Sequence, residues 1–174
     1  KTFKFNGEIY LMLKKYFITF CLLILFINNL QAAGTDDGSS SKVKSDYNKA
    51  VSLIKSAKKY EKKGKAEKAN KKYEKAQKLL IASNKKKPLQ ANTLNYLGFT
   101  TRKLGDYKNG EKYYLLGLEI EPNHKGINEY LGELYMITNR KDLAKGRLEV
   151  LKNCNCEEYE ELKEIIEGKK ESKY

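Results

Sequence analysis

Ala91 to His124 reads ANTLNYLGFTTRKLGDYKNGEKYYLLGLEIEPNH. Leu94, Leu97-Gly98 and Thr101 share one face at the three- and four-residue spacing of a helix. Leu104-Gly105-Asp106-Tyr107 breaks that pattern, and Gly110, Tyr114, Gly117 and Ile120 then line a second helix that stops at Pro122. The stretch predicts two helices folded back on one another across a short turn.

The same landmarks return on both sides. In the next 34 residues, Leu131-Gly132 and Tyr135 fall in step with Leu97-Gly98 and Thr101, and Asn139 takes the place of Gly105 at the turn. Ala144, Leu148 and Leu151 follow like Gly110, Tyr114 and Gly117. An earlier copy starts at Ala50, 41 residues before Ala91: Leu53, Ser56-Ala57 and Tyr60 precede a turn at Gly64, and Ala69, Tyr73, Ala76 and Leu79 follow on one face. Seven extra residues are almost two turns at about 3.6 residues per turn, so they lengthen the second helix without rotating its apolar face.

This pattern resembles the tetratricopeptide repeat: a Leu-Gly pair, an aromatic, a small residue, an aromatic, a small residue and a Pro over 34 residues. Leu94 replaces the leading Trp of that family, and Thr101 replaces an aromatic. The resemblance implies an all-α solenoid of three helical hairpins within residues 46–168, with repeats at about 50–83, 91–124 and 125–156. Small side chains at Gly98 and Gly110 would let the paired helices approach within the roughly 8–10 Å of ridge-into-groove packing. A solenoid end needs a lid, and Glu157 to Gly168 supplies one. Tyr159, Leu162, Ile165 and Ile166 make an apolar stripe there, acids crowd its start, and Lys169-Lys170 follow its end, as the helix dipole favours. Residues 169–174 are left as a tail. The Cys-Asn-Cys-Glu-Glu-Tyr run opening this segment is similar to a cysteine-bearing extension of small exported repeat proteins from alphaproteobacteria.

Inventory narrows the chemistry. The 174 residues include one His and three Cys, too few for a His-centred catalytic triad or a closed metal site rich in His and Cys, and no cofactor is expected. The 35 Lys and Arg outnumber the 22 Asp and Glu, and the excess sits between Lys42 and Lys87, where 17 Lys meet four acids. Only Arg102, Arg140 and Arg147 are Arg, which disfavours nucleic-acid readout, a task mostly of bidentate guanidinium groups. The lysine-rich segment reads as a solvated helical face or as a surface drawn to anionic lipid, glycan or acidic protein. Tyr60, Tyr73, Tyr114 and Tyr135 occupy core columns of the repeats, so packing explains them better than stacking on bases or sugars. His124, after Pro122-Asn123, reads as a loop residue.

The amino-terminal part carries targeting features. Met12-Leu13-Lys14-Lys15 precedes an apolar run from Tyr16 to Ile27, and Asn28 to Ala33 ends in small residues, the anatomy of a secretory signal peptide over 12–33 cleaved after Ala32 or Ala33. Residues 1–11 then lie upstream of the true start or belong to a fragment. The run falls short of the roughly 20 apolar residues that span a bilayer, so an uncleaved inner-membrane anchor is the lesser alternative. Residues 34–45, rich in Gly and Ser, read as a flexible linker. The mature chain is expected to be exported and periplasmic. Of its thiols only Cys154 and Cys156 remain, open to a local disulfide, two reduced structural thiols, or redox, metal or intermolecular use.

By the family resemblance, the first helix of each hairpin lines a concave groove that holds extended peptides or partner helices. Ile54, Lys58, Asn95, Phe99, Arg102, Glu129, Glu133 and Met136 are then the exposed positions facing it. Ile54, Tyr96, Gly126 and Tyr130 stand at several positions of the family's carboxylate clamp, so capture of a free C-terminal carboxylate is not expected. The grading from basic residues to Glu129 and Glu133 favours a partner of mixed charge. The expected function is a non-catalytic protein-binding adaptor of the cell envelope. Its alternatives are a peripheral binder of anionic envelope surfaces and a thiol-redox enzyme.

Overall fold

The computed structural model describes residues 45–172. The expected upstream residues, signal peptide and most of the linker lie outside the described residues. Seven helices follow: α1 (Asp46–Glu61), α2 (Ala66–Lys86), α3 (Ala91–Lys103), α4 (Tyr107–Ile120), α5 (Lys125–Ile137), α6 (Lys141–Leu151) and α7 (Glu157–Ile166). Among the described residues there is no strand, and no helix is long and apolar enough to cross a membrane. The pairs α1–α2, α3–α4 and α5–α6 are the closest associations, and α7 lies on α5 and α6. The all-α stack of three hairpins with a terminal capping helix is therefore the observed fold.

The turns explain the period. Gly64, Gly105 and Asn139 each sit just past the first helix of a hairpin with φ of 66°, 92° and 58°. In each case the next residue's amide reaches back to a carbonyl five positions earlier: Lys65 to Tyr60 at 2.9 Å, Asp106 to Thr101 at 3.1 Å, Arg140 to Tyr135 at 2.7 Å. This is the left-handed helix stop that Gly, and next Asn, adopts most cheaply. Side chains start three of the helices: Ser45 accepts from the Asn48 amide, Asp106 from Asn109 and His124 Nδ1 from Ile127. His124 is thus more than loop filler. Its ring caps α5, and its Nε2 stands 3.2 Å from Asn92 Oδ1 across the junction between repeats.

Helix α2 carries 21 residues against 14 in α4. Its buried stripe is Ala69, Tyr73, Ala76 and Leu80; the alternation of four- and three-residue steps keeps Leu80 at the centre of that face, whereas Leu79 falls about a quarter turn off it and is only partly buried. Ile120 likewise turns outward in α4, where Leu118 is buried instead. Helix α3 is the most enclosed, with ten of its 13 residues buried, since α2, α4 and α5 all pack on it. Beyond α6, Cys154 and Cys156 are joined as a disulfide with Cα atoms 5.3 Å apart, across Asn155 at φ 46°. Leu162, Ile165 and Ile166 of α7 are buried, while Glu157, Glu158 and Glu160 occupy its first turn.

Close approaches at glycines set the spacing of the stack. A Cβ added at Gly98 would lie 2.5 Å from the Tyr114 ring, and one at Gly132 would lie 2.5 Å from Leu162. Gly98→Ala should therefore cost about 1–3 kcal/mol, read as a lower urea midpoint at unchanged slope. Gly146→Ala, on the open face of α6 with nothing within 4 Å of the new Cβ, should stabilise by about 0.5–1 kcal/mol. Equal midpoints for the two variants would contradict this packing account.

Candidate functional site

Helices α1, α3, α5 and α7 enclose a cavity of ≈ 380 Å³. Phe99 and Tyr130 form its aromatic floor, with ring centroids 5.0 Å apart. Lys58, Lys62 and Lys103 line one wall, while Glu129, Glu133 and Glu161 line the other. A contiguous recess of ≈ 270 Å³ shares Lys58, Glu129, Tyr130 and Glu161 and adds Glu157 and Glu158. The carboxylates of α5 and α7 thus converge on one side of a trough, opposite lysines of α1 and α3.

Each wall is held from behind. Lys58 Nζ lies 4.6 Å from the Phe99 ring centre and donates to the Tyr130 hydroxyl at 3.2 Å, so its ammonium covers both rings. Tyr73 packs edge-on to Phe99 and donates from its hydroxyl to Glu61 at 2.8 Å, and Glu61 in turn pairs with Lys103. Arg102 is 1% exposed. It donates to the Tyr130 carbonyl at 2.7 Å and to Glu133 Oε2 at 3.1 Å, tying α3 to α5 beneath the trough. Removing one member of such a buried pair leaves an uncompensated charge and typically costs about 3–5 kcal/mol.

The eight residues expected at the groove separate in the structure. Lys58, Phe99, Glu129 and Glu133 line the cavity, with Arg102 directly below them. Ile54, Asn95 and Met136 do not: Ile54 belongs to the core of the first hairpin, Asn95 lies against Gly126, and Met136 packs on the core of the last hairpin. The expectation that all eight are exposed is corrected. Ile54, Asn95, Phe99, Arg102, Glu129 and Glu133 are buried, because neighbouring rings, the Arg102 pairing and α7 cover the positions that repeat geometry turns inward. Sequence reasoning missed Glu61, Lys62, Lys103 and Glu161. Lys62 and Lys103 sit one helical turn past Lys58 and Phe99, a signal available from spacing alone. Glu161 comes from the capping helix, outside the repeat pattern.

Glu129, Glu133 and Glu161 bring carboxylate oxygens within 4.8 Å of one another, a set that could ligate a hard cation. Arg102 already stands on Glu133, and Lys170 on Glu161 at 2.8 Å. Burial, then the neighbouring Glu133 charge, then a hydrogen bond with Glu161, push the Glu129 carboxyl up to about 9. Folded Glu129 therefore keeps its proton at neutral pH, whereas in the unfolded chain it is released near the ordinary value of 4.5. Between those two values the folded state binds the extra proton, so this group makes stability fall as pH rises. Glu129→Gln should flatten the dependence and raise the urea midpoint more at pH 8 than at pH 5; an unchanged difference between the two pH values would refute the assignment.

No family model matches the chain, and no curated protein matches it. Solved structures do. SycD, the type III secretion translocator chaperone of Yersinia enterocolitica, is 18% identical with a TM-score of 0.50, over 68% of this chain and 81% of SycD. SycD in complex with a peptide of the translocator YopD gives the same identity and score over 68% of this chain and 86% of that one. The first TPR domain of human RPAP3 is 21% identical with a TM-score of 0.44, over 72% of this chain and 98% of the domain. The likeness is one of architecture: the chain is built as a tetratricopeptide-type helical-hairpin solenoid.

Proposed function

We propose that the protein is a non-catalytic adaptor that holds a segment of a partner protein in the trough between α1, α3, α5 and α7. The observation that carries this reading is the composition of the trough: an aromatic floor, a lysine wall and a carboxylate wall around one cavity of ≈ 380 Å³. An aromatic floor between Lys58 and Lys62 on one side and Glu157 and Glu158 of the adjoining recess on the other suits a peptide of mixed charge. SycD, a protein of this fold, is known with a bound peptide, which supports the same use of the fold here. The preferred segment places an acidic side chain beside Lys58 and Lys62, an apolar one over Phe99 and Tyr130, and a basic one toward Glu157 and Glu158.

Export to the envelope, and to the periplasm in particular, is part of the proposal and rests on the Met12 to Ala33 pattern. The Cys154–Cys156 disulfide fits an oxidising compartment. Protein recovered from the periplasm should begin at Ala33 or Gly34 by N-terminal sequencing; recovery of the uncut chain from the membrane fraction would reject cleavage.

A peptide display library selected on the protein tests the trough. Selected peptides should share the acidic-apolar-basic order, and Lys58→Ala or Lys62→Glu should weaken them roughly tenfold while circular dichroism stays helical. Peptides without that order, or indifferent to both substitutions, would overturn the reading.

A further inference from the structure

A separate cavity, of ≈ 400 Å³, opens beside the Cys154–Cys156 disulfide, where α6 gives way to α7. It shares no residue with the ≈ 380 Å³ trough and meets the adjoining recess only at Glu157. Both cysteines are half-buried, but Cys156 lines the cavity and Cys154 does not, so the opening gives access to one end of the bond. Cys156 is also the N-cap residue of α7, and its side chain makes no hydrogen bond to the start of the helix.

The bond does little for the fold. It joins residues at a sequence separation of two. The entropy a disulfide removes from the unfolded chain grows with the loop it closes, and this loop is nearly the shortest possible. Packing holds the junction instead: Leu151 at the end of α6 is buried, and Leu162 of α7 fills the hollow over Gly132. Cross-linking therefore explains the pair poorly. A half-buried disulfide with one sulfur on an open cavity has the access on which thiol–disulfide exchange depends.

The cavity also has a sign. Glu157 and Glu160 line it against Lys152, whose ammonium is already held by Glu149 at 3.0 Å. Among the described residues Glu157 has no ion-pair partner, and Glu160 has only Lys163 at 4.0 Å. The surplus is negative, and Tyr159 adds an aromatic wall.

From these observations we infer that Cys156 is a thiol–disulfide exchange site that captures a cysteine of a partner protein, one flanked by basic residues. The partner's thiolate, its proton released to water, attacks Cys156 Sγ. The new bond joins the partner's sulfur to Cys156, the Cys154–Cys156 bond breaks, and its electron pair leaves on Cys154 Sγ, which takes up one proton. One thiol and one disulfide enter and one of each leave, so no outside oxidant or reductant is needed. Glu157 and Glu160 attract the cations beside the incoming thiol and repel thiols that carry carboxylates. The inference goes beyond the adaptor reading and does not rest on it, since the exchange needs only the disulfide and its own cavity.

The test uses the full chain with Cys21→Ser, so that Cys154 and Cys156 are its only cysteines. It is mixed with an excess of a peptide carrying one cysteine between arginines, quenched in acid after increasing times and digested for mass spectrometry. The adduct is expected on Cys156, with Cys154 as the free thiol. It should form about tenfold faster than with glutamates in place of the arginines, once each peptide's rate toward a small neutral disulfide is divided out. Glu157→Gln combined with Glu160→Gln should shrink that preference to about threefold or less while circular dichroism stays helical. Because Cys154 can expel the peptide again, a Cys154→Ser chain given the same peptide as its thionitrobenzoate disulfide retains the adduct, and a Cys156→Ser chain should react about tenfold more slowly. Adducts shared equally between the two cysteines, a Cys156→Ser chain as fast as Cys154→Ser, or rates blind to the charge of the peptide would overturn the site.

Discussion

A tyrosine ring resting on a bare Cα governs this stack. Tyr114 occupies the space that a side chain at residue 98 would need, so α3 and α4 close to a distance no larger residue there permits. That closeness, with α2 and α5 packed on its other sides, leaves α3 almost wholly enclosed, and several of its polar groups bond to buried partners. Thr100 bonds back to the carbonyl of Tyr96, and Arg102 reaches across to the Tyr130 carbonyl and Glu133. The link from α3 to α5 beneath the trough is thus a consequence of helix spacing as much as of charge.

The repeat architecture is legible in the sequence because its determinants are local. A left-handed stop at Gly105 and at Asn139, and Leu and small residues at helical spacing, act within one or two turns and recur at a fixed interval. The exact inner residue is less legible. Leu79 and Leu80 are equally apolar, and only the true phase of α2 chooses between them.

The trough was harder to read, for a different reason. Repeat geometry says which positions turn inward, but what covers them is decided by contacts between distant parts of the chain. Lys58 meets Tyr130 across 72 residues, and Glu129 meets Glu161 of the capping helix. Burial of Phe99 and Arg102 follows from those contacts, and no spacing within α3 encodes it.

Leu162 fills the hollow over Gly132 while Glu161, beside it on α7, completes the acidic wall. The lid of the array is therefore also one wall of the trough. Duplicating a hairpin between α6 and α7 would carry both residues one step away and dismantle that wall, even if the longer array folded. The number of hairpins and the make-up of the trough are therefore linked through a single helix, α7.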